Sequence, residues 1–212
     1  MSTLPAASEP EAPPRRRRRL AAAARRASIL DAAMPLFAAA GYEQTRVSDI
    51  AAQVGVTEPV VFQNFGTKAG LFAAALEHAS QEAASYLVEM SEEHPNVYDW
   101  LAQLLAADHL DHLHTAPMFG VLFADAHRLQ FVPEVSAAVR RSMTHVADAL
   151  GSILERGQAE ASIRSDSPPL TLAWLVVSLI QARQFRCSFT PEPSAQLEAD
   201  LLHQILQSFR AE

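Results

Sequence analysis

The run SDIAAQVGVTEPVVFQNF, Ser48 to Phe65, carries two short apolar-periodic segments separated by Gly55-Val56-Thr57. Val47, Ile50, Ala51 and Val54 recur at helical spacing and predict a first short helix that starts at Thr45 or Arg46 and stops at Gly55. Thr57 is a candidate N-cap for a second, because its hydroxyl can accept from a free backbone N–H, and Pro59 suits a first-turn position. That helix should end near Phe65-Gly66. Ala51 and Ala52 are small enough for the two helices to approach, Gly55 supplies a turn conformation costly for other residues, and Val56 plugs the angle between them. This is the grammar of a helix-turn-helix, a unit whose second helix enters the major groove of DNA.

Working outward, Ile29, Leu30, Ala33, Leu36, Phe37 and Ala40 predict a helix before this unit, beginning near Ala27 and capped by Gly41. Pro35 lies inside it and removes one backbone donor. On the other side Thr67 should cap a long helix from Lys68 toward Met90, with Leu71, Phe72, Ala75, Leu76 and Ala79 on its apolar stripe. Further helices are expected at Val97 to His112, Pro117 to Leu129, Pro133 to Ala159, Pro169 to Phe189 and Pro193 to Phe209, four of them opened by proline. With no alternating strand pattern, the expected class is all-α: a three-helix head and a helical body. The expected divisions are a disordered basic tail over 1–19, a DNA-binding head over 20–77 and a body over 78–212.

Charge divides the same way. Met1 to Glu77 hold nine Lys or Arg against seven Asp or Glu, whereas His78 to Glu212 hold eight against seventeen, so only the first segment is fit to approach phosphates. The arginine run Arg15 to Arg19 is either an arm laid along a DNA groove or a solvated tail. The longest apolar run, Leu170 to Ile180, is too short for a membrane span, and Arg25 and Arg26 interrupt any signal core, so a cytoplasmic location is expected. The single cysteine, Cys187, cannot close an internal disulfide and reads as a small apolar residue.

From Ile29 to Phe72 the sequence resembles the N-terminal domain of the TetR family of transcriptional regulators. The positions that carry the resemblance are Ala33, Phe37, Gly41-Tyr42, Thr45, Asp49-Ile50-Ala51, Gly55-Val56, Phe65, Lys68 and Leu71-Phe72. It implies phosphate contacts at Thr45, Arg46 and Lys68, and groove contacts at Thr57, Glu58, Val60, Gln63 and Asn64, with Phe62 also among the DNA-binding positions. The family's usual Tyr-x-His-Phe here becomes Phe62-Gln63-Asn64-Phe65: Phe62 keeps the packing but has no hydroxyl to offer a phosphate, and Asn64 is neutral. Glu58 either accepts from cytosine or complements the helix dipole. The helix holds no Lys or Arg from Glu58 to Phe65, so backbone attraction should come from flanking residues.

The resemblance further implies a helical body that binds a small-molecule effector and dimerises, repression being the family default. Residues support the dimer independently: from Pro169 the helix is apolar on nearly every side, and Leu197, Leu201, Leu202, Ile205, Leu206 and Phe209 give the last helix more than one narrow face. Homodimerisation through these last two helices would present two heads to a near-palindromic double-stranded DNA operator; the alternative is one protomer core enclosing both. Trp100, Leu104, Met118, Phe119, Leu122, Phe123, Met143 and Trp174 are candidate effector-pocket residues, or plain core. Asp108, His109 and His112 have a spacing that could serve a metal-responsive variant, yet no cysteine accompanies them and no metal site is assigned. No cofactor is expected. A helical enzyme or interaction module is the rival reading, but no nucleophile elbow, phosphate loop or zinc-hydrolase motif is present.

Overall fold

The computed structural model describes residues 14–106, 109–110, 122, 125–126, 128–189 and 194–211. They form eight helices: α1 (Pro14–Gln44), α2 (Val47–Val54), α3 (Glu58–Phe65), α4 (Lys68–Glu92), α5 (Val97–Leu104), α6 (Pro133–Ala159), α7 (Pro169–Phe189) and α8 (Ser194–Gln207). The all-α class is as expected. The helix expected over Pro117 to Leu129, like Met118, Phe119, Phe123, Asp108 and His112, falls largely or wholly outside the described residues.

Two expected boundaries move. The first helix starts at Pro14 rather than near Ala27, so the backbone of the arginine run, expected as a disordered tail, is helical. Proline at a helix start loses nothing, and Arg and Ala, which fill nearly every position from 15 to 27, are among the best helix formers. The helix expected to reach His112 ends at Leu104. Its N-cap Asn96 accepts from the Asp99 N–H at 2.8 Å, and Val97, Trp100, Leu101 and Leu104 face inward.

Two cores organise the packing. In the body, Trp100 and Leu104 of α5, Leu150 and Leu154 of α6, Ala173 and Val176 of α7, Leu202 of α8 and Phe209 just beyond it are buried together. Beside them α4 and α6 run parallel, pinned near one end by the Glu77–Arg141 ion pair and near the other by Arg156, which donates to the Ser91 carbonyl at 2.8 Å. Gly157 sets how closely α6 approaches its surroundings, since a Cβ there would lie 2.8 Å from Val97 Cβ and 2.5 Å from Ile163 Cγ1.

The second core fills the head. Ile29, Ala33 and Phe37 of α1, Ile50 and Ala51 of α2, Val61 and Phe65 of α3, and Leu71, Phe72 and Leu76 of α4 converge there. Phe37, Tyr42 and Phe72 pack as an aromatic trio, Phe72 lying edge-on to both of the others with ring centres 5.1 Å apart. This core does not stop at the head: Leu122, Ala126 and Val135 are buried in it, with Leu129, Val132 and Val139 packed against it.

Candidate nucleic-acid interface

The turn between α2 and α3 is built as the sequence suggested. Gly55 adopts φ 72° and ψ 32°, a left-handed conformation that costs a glycine little, and its neighbour Val56 donates to the Ala51 carbonyl at 2.9 Å. Ala51 is buried at the contact and Val56 packs against the head core. Ala52, expected beside Ala51, is exposed instead, because one helical step turns it out of the seam. Thr57 stands at the N-cap of α3, yet its side chain makes no capping hydrogen bond. Thr67 does cap α4 as expected, accepting from the Gly70 N–H at 2.8 Å.

α3 divides cleanly into two faces. Val61 and Phe65, one turn apart, point into the core, while Thr57, Glu58, Pro59, Phe62 and Gln63 are exposed. Phe62 is 39% exposed, a large apolar ring on a surface otherwise offering an amide, a hydroxyl and a carboxylate. Val60 is half-buried. Asn64, expected to read base edges, is also half-buried, and its amide Nδ2 donates to the Val60 carbonyl one turn back at 2.7 Å. Among the α3 side chains that bear hydrogen-bonding groups, Glu58 and Gln63 are thus the fully presented ones.

Of the three residues expected on phosphates, Arg46 is exposed and Lys68 half-exposed, whereas Thr45 is buried. Arg46 is exposed at the N-cap of α2. Lys68, in the first turn of α4, reaches back over the α1–α2 turn: its Nζ donates to the Glu43 carbonyl at 3.2 Å and sits 4.6 Å from the centre of the Tyr42 ring. The turn before α2 and the start of α4, far apart in sequence, therefore form one patch. Thr45 is the correction. It is 4% exposed, and its hydroxyl is directed at the carbonyls of Gly41 (2.7 Å) and Leu36 (3.1 Å), where it closes the end of α1 left ragged by the non-helical Gly41. Burial, then the neighbouring carboxylates of Glu43 and Glu134, hold the Tyr42 phenol above its usual pKa.

Arg26 is a residue the sequence reading passed over. Its guanidinium donates to the Asn64 carbonyl at the end of α3 and lies 4.1 Å from the centre of the Phe65 ring. The signal was available: Arg26 stands one turn before Ile29 and so extends the inward face of α1.

This geometry meets its relatives at the same residues. Residues 29–75 match the sequence profile of the family described as bacterial regulatory proteins, tetR family. The head is TetR-like. The TetR-type head is also where curated relatives align: the uncharacterized HTH-type transcriptional regulator YvkB of Bacillus subtilis is 42% identical over 59 residues, and the HTH-type transcriptional repressor ComR of Escherichia coli 35% over 83. Those segments cover 28% and 39% of this chain, and only 31% and 40% of the relatives' own lengths. The likeness in fold extends past the TetR-type head. A TetR-family regulator from Cytophaga hutchinsonii superposes with a TM-score of 0.69 over 91% of this chain and 98% of its own, at 12% identity. One from Rhodococcus gives 0.68 over 88% and 99%, at 21% identity.

The described residues among those expected to line an effector pocket do not all come together. Trp100 and Leu104 are fully buried in the body core with Met143 packed against it, but Leu122 belongs to the core of the TetR-type head, and Trp174 is 41% exposed. Trp174 lies on the outer side of α7, so it is corrected from pocket to surface. The Trp100 indole Nε1 is buried with no hydrogen-bond partner among the described residues. Among those residues no group of three or more metal-ligating side chains gathers, and no helix is long and apolar enough to cross a membrane.

Proposed function

We propose that this chain is a cytoplasmic, non-enzymatic transcriptional repressor that binds a near-palindromic DNA operator as a homodimer and releases it when a small-molecule effector binds the body. The observation that carries the reading is the division of α3, whose outer row Thr57, Glu58, Pro59, Phe62 and Gln63 is exposed beside the cationic patch of Arg46 and Lys68. Positioning falls to the two cations, which attract phosphates of any sequence, and specificity to the α3 side chains.

The dimer rests on α7 and α8. Leu170, Trp174, Leu175 and Leu197 are 47%, 41%, 43% and 55% exposed, a concentration of large apolar side chains that water disfavours and that a second copy would cover. The effector reading rests on the body core and the Trp100 indole, whose N–H is a donor suited to an oxygen on a largely apolar ligand. The decisive experiment is retardation of DNA from the gene's own upstream region by purified protein. Binding that survives competitor DNA and falls steeply with salt is expected; binding abolished by competitor would overturn the reading.

A further inference from the structure

The second core crosses from the head into the chain segment that precedes α6, and at that crossing one carboxylate grips the backbone of the head. Asp125 Oδ2 accepts from the Tyr42 N–H at 2.5 Å. Gly41 makes room for the grip: at φ 76° and ψ 170° it occupies a region open essentially to glycine, and a Cβ there would lie 2.8 Å from Asp125 Oδ2. The segment is held in place by Leu122 and Ala126, buried at 0% and 1% in the head core, and by Leu129 and Val132 packed against it. Asp125 is itself mostly covered, its other oxygen lying 3.6 Å from the exposed guanidinium of Arg128.

The gripped turn is the one that places the cationic patch. Tyr42 carries Lys68 on its ring, the next residue, Glu43, offers Lys68 its carbonyl, and Arg46 follows at the start of α2. We infer that Asp125 is the positioning residue through which the body sets the α1–α2 turn, and with it Arg46 and Lys68, for phosphate contact. A shift of Asp125, together with its buried neighbours Leu122 and Ala126, withdraws an acceptor from the Tyr42 amide, so the body's state is read at the DNA surface through this contact. This rests on the DNA-binding reading above, and its test separates the two.

The full-length protein is compared with Asp125→Ala and Asp125→Asn on a palindromic duplex selected from random DNA by the wild type. Two quantities are followed: DNA affinity, and hydrogen exchange of the Tyr42 amide. Asp125→Ala is expected to weaken binding about tenfold, the factor that accompanies 1.4 kcal/mol, and to speed Tyr42 exchange by a similar factor. Asp125→Asn, which keeps an acceptor of the same shape, should fall between and serves if the alanine variant does not fold. Unchanged affinity overturns the inference, and so does weakened affinity with Tyr42 protection intact. If the wild type selects no DNA, the functional reading fails instead, and the positioning inference falls with it.

Discussion

The guanidinium of Arg26 lies 4.1 Å from the centre of the Phe65 ring, covering a side chain that anchors α3. Because it also donates to the Asn64 carbonyl, it satisfies an acceptor that the end of α3 would leave open. Arg26→Ala should therefore lower stability by about 1 kcal/mol from the two contacts together. Arg26→Lys should recover part of it, since an ammonium keeps the charge but not the planar fork. Thermal unfolding of the three proteins checks the order.

Gly70 is the most tightly enclosed glycine of the head. A Cβ there would lie 2.2 Å from the Phe65 carbonyl oxygen, which is backbone and cannot swing away. Gly70→Ala should push α3 and α4 apart and cost about 2–3 kcal/mol, at the upper end for overpacking. Denaturant titration gives the value; a neutral substitution would mean that α4 shifts freely.

Arg46→Ala and Lys68→Ala should weaken binding to all DNA sequences and make the salt dependence shallower by about one phosphate each. Gln63→Ala should instead change which operator is preferred. Asn64→Ala is expected to act more on α3 stability than on preference, because its amide is committed to the Val60 carbonyl. Selection of binding sites by each variant distinguishes these outcomes.

Carboxylates on the outer face of α7 test the dimer. Trp174→Glu with Leu175→Glu replaces two side chains that are 41% and 43% exposed in the protomer, so the single-chain fold should survive. Sedimentation is expected to find monomers, and DNA affinity should fall with the loss of the second head.

His94 offers a local titration. Its imidazole faces oxygen acceptors at both nitrogens, Gln103 Oε1 and the Met90 carbonyl at 2.9 Å, and the side-chain bond to Gln103, then the Met90 bond, raise its pKa above the ordinary 6.5. The protonated ring is the favoured partner, so its contribution to holding the end of α4 against α5 is complete below 6.5 and fades as pH rises through the raised value. NMR titration should place His94 above 6.5, and Gln103→Ala should bring it down toward that value.

Much of the head was legible because its signals are local. Gly55 in its left-handed turn, Thr67 on the Gly70 amide and the Val61–Phe65 inner face each follow from spacing of a few residues. Thr45 and Asn64 were misread for the opposite reason: a short polar side chain can face water or fold back on a nearby carbonyl, and spacing does not distinguish the two. Leu122 and Trp174 were misassigned because membership of one core or another is decided by tertiary contact, and an apolar residue carries no mark of which core will take it. Asp125 on the Tyr42 amide, 83 positions away, left no trace in any local pattern.

That shared core bears on how such proteins are recombined. Leu122, Ala126 and Val135 complete the hydrophobic interior of the helix-turn-helix unit. A chimera joined after Glu77 would inherit the reading helix without these plugs and meet a foreign body with mismatched ones. The exchangeable piece is a discontinuous one, the N-terminal helices together with the strip of chain leading into α6, and swaps that honour this boundary should keep both folding and operator choice.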